Sequence, residues 1–156
     1  MIIRKATALD YDGYYQIKSD ENNVFWGGWT SAPDYEAFKN VFFSRISNPQ
    51  RREYVCIIDG QISGYLAAVI LDSKVEISYG VKSSFSGQGI ATALIGFAVG
   101  EFTDKTIIAW VSEKNIGSQK CLLKNGFLKS EELERKSLQL DKDEHVFCKW
   151  ERKSVS

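Results

Sequence analysis

Tyr79-Gly80-Val81-Lys82-Ser83-Ser84-Phe85-Ser86-Gly87-Gln88-Gly89-Ile90-Ala91 is the stretch that decides the fold. Behind it, residues 74–81 alternate, with Val75, Ile77, Tyr79 and Val81 on one face and Glu76, Ser78 and Gly80 on the other, as in a strand. Ahead of it, residues 89–102 carry Ile90, Leu94, Phe97 and Ala98 at helical spacing. A strand thus runs through a glycine loop into a helix. Glycines at 87 and 89 let the backbone approach a ligand, and the free N–H groups of a helix start, with the dipole behind them, form an anion site. Phosphate is the natural guest. Glycine spacing alone equally allows a tight turn that holds nothing.

Upstream, residues 54–58 and 62–70 are β-rich runs joined by Asp59-Gly60, a dipeptide suited to a two-residue hairpin turn, so the loop follows an antiparallel meander. Residues 2–5 read as a first strand, and 8–19 carries Leu9, Tyr14 and Ile17 at a loosely helical spacing. The aromatic stretch 20–29 has no period and reads as a loop. A second helix is capped by Ser31, with Pro33, Asp34 and Glu36 in its first turn, Tyr35, Phe38, Phe42 and Ile46 on one face, and its end before Pro49. Downstream, 106–111 returns to strand composition, which makes the intervening helix a parallel crossover. Residues 115–124 form a short helix stopped by Asn125-Gly126, a strand begins at Phe127, and a last hairpin covers about 138–150 across the turn Asp141-Lys142-Asp143. The whole is an α/β (α+β) chain with a mixed sheet flanked by helices.

With 156 residues and 44% hydrophobic content, the chain can bury one core, so one domain over 1–152 with a frayed tail at 153–156 is expected. Twenty basic against twenty acidic side chains give no electrostatic case for nucleic acid or membrane as partner. There is no apolar run of the roughly 18 residues a membrane span needs, and the expected location is cytoplasmic. Cys56, Cys121 and Cys148 suit neither a disulfide framework nor a metal cluster and read as free thiols. One histidine, His145, excludes a site with several His ligands, and no metal is expected.

Other phosphate loops fit poorly. A nucleoside-triphosphate loop needs Gly-Lys-Ser/Thr where the chain has Gly89-Ile90-Ala91, and a dinucleotide fingerprint wants a small residue at Thr92 and an acid near position 110, which is Trp. Tyr79-Gly80-Val81, Ser86-Gly87-Gln88-Gly89-Ile90-Ala91, and Asn115-Ile116-Gly117-Ser118 running on to Lys124-Asn125-Gly126-Phe127, in this order and spacing, resemble the GNAT superfamily of acetyl-CoA-dependent N-acetyltransferases. The pattern is most similar to the RimJ/RimL-like branch. The resemblance implies a mostly antiparallel sheet with acyl-CoA in a cleft between neighbouring central strands, and acetyl-CoA as cosubstrate. It implies that Tyr79, Gly80 and Val81 pair with the pantetheine, that Ser86, Gly87, Gln88, Gly89, Ile90, Ala91 and Thr92 hold the pyrophosphate, and that Asn115 contacts the coenzyme arm. Ser86 stands where the family usually has Arg or Gln, so weaker coenzyme binding is expected.

Acyl transfer to an amine needs the amine neutral, the thioester carbonyl beside it, and a proton for the leaving thiolate. Many relatives supply that proton from a tyrosine whose position here is Leu122, and Ser118 is the nearest replacement, as acid or thiol contact. A hydroxyl bonded back to its own helix is the alternative for Ser118. Glu76, on the strand leading to the loop, is the candidate base, with His145 second. Trp26, Trp29 and the acids Asp20 and Glu21 lie where relatives shape the acceptor pocket, and would suit a cationic amine. Trp110 and Cys121 read as packing residues. The expected activity is transfer of acetyl to a primary amine of a small molecule or peptide N-terminus by direct attack, in a monomer or homodimer. The alternatives are a non-catalytic acyl-CoA sensor and a binder of another phosphorylated ligand.

Overall fold

The computed structural model describes residues 1–26, 31–138 and 141–154, the side chains of 136–144 excepted. Strand β1 (Ile2–Lys5) leads through a 3-10 turn at Ala8–Asp10 into α1 (Tyr11–Lys18), α2 (Glu21–Trp26) and α3 (Tyr35–Ser47). β2 (Arg51–Ile58), β3 (Gln61–Leu71) and β4 (Lys74–Val81) form the meander. Its first turn is made by Asp59 (φ 50) and Gly60 (φ 75), both in the left-handed region that a two-residue hairpin demands. α4 (Ile90–Glu101) crosses to β5 (Thr106–Ser112), α5 (Ile116–Lys124) follows, and β6 (Leu128–Leu138) and β7 (Asp141–Arg152) close the chain.

The strands make one seven-stranded sheet in the order β1-β2-β3-β4-β5-β7-β6. All neighbours are antiparallel except β4 and β5, which the α4 crossover makes parallel. On one face Leu66, Val75, Ile77, Ile107 and Val111 meet Ile90, Leu94, Ile95 and Ala98 of α4 and Leu122 of α5. On the other, Tyr65 and Ala67 lie under Tyr11, Tyr14 and Ile17 of α1 and Phe38 and Phe42 of α3. Each fully buried aliphatic side chain contributes about 1.5–3 kcal/mol relative to its exposed state.

Several sequence expectations need correction. Residues 21–26 are helical, not loop, because the Asp20 carbonyl accepts from Val24 N (2.8 Å) and its carboxylate from Asn22 N (3.1 Å), starting a turn that the sequence has no apolar period to announce. Leu9 is 96% exposed, since the 3-10 turn rotates it off the face that buries Tyr11, Tyr14 and Ile17. α3 is capped by Asp34, whose carboxylate accepts from Ala37 N at 2.9 Å, and not by Ser31. The last hairpin starts at Leu128, and its strands are paired as far as Leu138 and Asp141, so 141–143 belongs to β7 and is no turn. Apart from these corrections, in the expected tail at 153–156 Lys153 lies 3.1 Å from Glu151, and residues 155 and 156 lie outside the described ones.

Candidate active site

β4 and β5 are paired over three rungs only, Lys74↔Thr106, Val75↔Ile107 and Glu76↔Ile108. Beyond them β4 stays on β3, up to Val81↔Gly64, while β5 stays on β7, up to Ser112↔Phe147. The two strands part and a cleft opens at the centre of the sheet. Lys82 N bonds Ser63 O on β3 at 2.8 Å, so by strand alternation Tyr79 and Val81 turn their backbone N–H and C=O away from β3, into the cleft. The Val81 carbonyl accepts from Asn23 Nδ2 of α2 at 3.0 Å. The remaining polar groups of this stretch form an open strand edge inside the molecule.

At the mouth of the cleft stands the glycine loop. Gly87 (φ 79) and Gly89 (φ 77) both take left-handed φ, and a Cβ at either would meet nothing within 4 Å, so glycine is required there by backbone conformation and not by crowding. Gly89 is the N-cap of α4, no side chain caps it, and the first intrahelical bond runs from Ala93 N to Gly89 O at 3.0 Å. The N–H groups of Ile90, Ala91 and Thr92 therefore start the helix without an intrahelical partner. Residues 86–89 are exposed, which leaves these N–H groups accessible. A tie from α2 positions the turn before it, since Asp20 accepts from Ser83 N (2.8 Å) and from Ser83 Oγ (2.5 Å). Burial favours the neutral acid at Asp20, but the bonds from Ser83 and Asn22 and the Lys82 charge together outweigh it and hold the carboxyl below its usual range. Asp20 is thus committed to the loop and does not face an acceptor.

Deeper in, a cavity of about 260 Å³ lies between Ile77, Ser78 and Tyr79 of β4 and residues 109–112 of β5. Asn115 and Ser118 of α5 close it on one side and Lys18, Asn23 and Trp26 on the other. Asn115 caps α5 with its Oδ1, 3.3 Å from Ser118 N, and among the described residues its Nδ2 has no hydrogen-bond acceptor. Ser118 Oγ lies 2.5 Å from Tyr79 Oη and not on its own helix carbonyls. Burial lifts the Tyr79 phenol to about 12, with the Ser118 contact acting in the opposite sense, so it is a neutral O–H at any working pH. Leu122 is fully buried in the core one turn further along.

Of the other candidates, Trp26 reaches the cavity wall, whereas Glu21 is exposed at the start of α2 and Glu76 sits at the closed end on the last paired rung. Ser78, next on the same strand face as Glu76, does line the cavity. Trp29 lies outside the described residues. His145 is 1% exposed, beneath the rings of Phe25 and Trp26, with Nδ1 3.3 Å from Oγ of the wall residue Ser112. Trp110 lines the cavity and is not core, because Ile107, Ala109 and Val111 take the α4 face of β5 and alternation turns Trp110 to the other side. Lys18 and the Tyr79 side chain were not singled out as site groups by sequence, since their partners Tyr65 and Ser118 are distant along the chain. Among the described residues no group of three or more His, Cys, Asp or Glu could hold a metal, and no helix is long and apolar enough to cross a membrane.

Residues 1–128 match the family model described as "Acetyltransferase (GNAT) domain". Among solved structures, a ribosomal-protein-alanine N-acetyltransferase from Brucella melitensis superposes with a TM-score of 0.84 at 21% identity, covering 98% of this chain and 99% of that one. A GNAT superfamily phosphinothricin acetyltransferase from Sinorhizobium meliloti, in complex with AcCoA, gives 0.83 at 20% identity over 98% and 88%. A spermidine N-acetyltransferase from Vibrio cholerae, in complex with CoA and spermine, gives 0.86 at 12% identity over 98% and 95%. At these identities the likeness is one of fold. Comparison with curated protein sequences gives no match.

Proposed function

The chain belongs to the GNAT acetyltransferase family, and on that premise we propose that it transfers acetyl from acetyl-CoA to a primary amine of a small molecule or a peptide N-terminus. The observation that carries the proposal is the parting of β4 and β5 after three rungs, which puts an open strand edge between the uncapped start of α4 and the cavity. The loop and helix start at 86–92 bind the coenzyme pyrophosphate through backbone N–H groups, and the helix dipole favours its charge. Tyr79 and Val81 pair with the pantetheine arm, and the Asn115 amide reaches it from α5. The thioester then lies beside Ser118.

The neutral amine attacks the thioester carbonyl, a C–N bond forms, and the C–S bond breaks as the tetrahedral intermediate collapses. The leaving thiolate takes a proton from Ser118 Oγ, which takes one from Tyr79 Oη across their 2.5 Å contact, and Tyr79 regains its proton from solvent once CoA has left. The proton shed by the amine passes to Ser112 Oγ and on to His145 Nδ1, an imidazole 3.3 Å from that wall hydroxyl. Two hydroxyl relays thus flank the reacting carbon, one for each proton.

Calorimetry with acetyl-CoA, followed by a thiol-release assay over a panel of amines, tests this proposal. Binding together with amine-dependent thiol release is expected, and replacement of Gly89 by a bulky residue should abolish the binding, because φ 77 is denied to it. Absence of acetyl-CoA binding at millimolar concentration overturns the proposal, and binding without release from any amine would leave an acyl-CoA sensor.

A further inference from the structure

Lys18 is the one charged side chain on the cavity wall among the described residues. Its ammonium donates to Tyr65 Oη at 2.9 Å and stands 4.3 Å from the centroid of the same ring. Tyr65 is fixed by close packing on β4, since a Cβ added at Gly80 would lie 2.5 Å from its Cε1. The ammonium is thereby held beside the stretch of β4 that borders the cleft. No described carboxylate lies within ion-pair distance of it, and the nearby Glu53 is buried and paired with Arg51 at 2.9 Å. Lys18 acts on the Glu53 carboxyl only at a distance, and its direct contacts are a phenol and aromatic faces, so an anion in the cavity is the guest that would pair with it.

We propose, on the basis of the acetyltransferase reading above, that the acceptor is an amine that also carries a carboxylate or similar anion, such as a free amino acid, and that Lys18 binds that anion. A cationic polyamine would meet the Lys18 charge with nothing to offset it, and a peptide N-terminus, whose adjacent carbonyl is an amide, would leave it unpaired. A cavity of about 260 Å³ suits an acceptor of amino-acid size, being near the lower end of the roughly 300–1,000 Å³ usual for ligand pockets.

The test is thiol release by the full-length protein with free amino acids, their carboxamides and spermidine. For wild type, kcat/KM should favour the free acid over its carboxamide by about 10- to 100-fold, the range of one charge-assisted hydrogen bond. Lys18→Met, whose stem still packs on Tyr65, should collapse that ratio toward one mainly through KM. Lys18→Arg should retain the ratio, and melting temperatures near wild type will show that both variants fold. Carboxamides or spermidine accepted as well as free acids would overturn this assignment and leave the acetyltransferase reading intact. Lack of release from any amine would remove that reading and this one with it.

Discussion

Tyr79 serves the site twice, through a backbone turned to the cleft and a phenol that reaches Ser118. If that pair supplies the thiolate's proton, Ser118→Ala and Tyr79→Phe should each lower kcat by about 100-fold, the lower end of general-acid effects, with little change in acetyl-CoA affinity. A defect confined to KM would reduce the pair to a packing contact. On the other side of the carbon, His145→Asn should lose activity near neutral pH and regain it as pH rises, because an amine already neutral needs no base. Glu76→Gln, on the closed rung, should change kcat/KM by less than about threefold, and a larger loss that alkaline pH repairs would make Glu76 the base. The sequence announced Ser118 because an asparagine cap and a lost tyrosine pointed to it. The side-chain roles of Tyr79 and Lys18 were hidden, since each depends on a partner 39 and 47 residues away along the chain.

Among elements, α2 is the one the sequence concealed, and it ties the site together. Asp20 holds the Ser83 turn, Asn23 holds the Val81 carbonyl, and Trp26 covers the cavity and His145. Asp20→Ala should therefore raise KM for acetyl-CoA by about tenfold, as expected for loss of a charge-assisted hydrogen bond, and affect kcat much less. Unchanged acetyl-CoA affinity in that variant would show that the tie does not shape the loop. The meander, the crossover and α5 were legible because each carries a local signal: strict alternation, Asp59-Gly60, Asn125-Gly126. Residues 20–26 carry none, for the helix is a turn and a half long and owes its start to one aspartate. That β4 and β5 part after Glu76 was not readable either, since strand composition does not reveal where pairing ends.

For the molecule as a whole, two buried carboxylates pull stability in opposite directions with pH. Asp10, gripped by Arg4 at 2.8 Å through both oxygens and by Thr7 N at 2.7 Å, has its pKa lowered chiefly by the Arg4 hydrogen bond. Its contribution is complete above the ordinary aspartate value of 3.8 and fades as pH falls below it. Glu53 is raised above 4.5, mainly by burial, despite Arg51, so its protonation favours the fold as pH falls toward that value. Melting temperature should therefore rise from neutral pH to a mildly acidic maximum and drop below about pH 4. Asp10→Asn should cost roughly 2 kcal/mol at neutral pH and blunt the acid drop, whereas Glu53→Gln should remove the acidic rise. A melting curve that is flat between pH 7 and 5 in wild type would contradict the account of Glu53. The three rungs between β4 and β5 also make the sheet a ruler. The unzipped run from Ile77 to Val81 is five residues long, and at about 3.3 Å per residue it measures about 16 Å of free edge. One more rung of pairing would shorten that gauge by about 3.3 Å, and an arm of fixed length would then present its thioester short of the cavity.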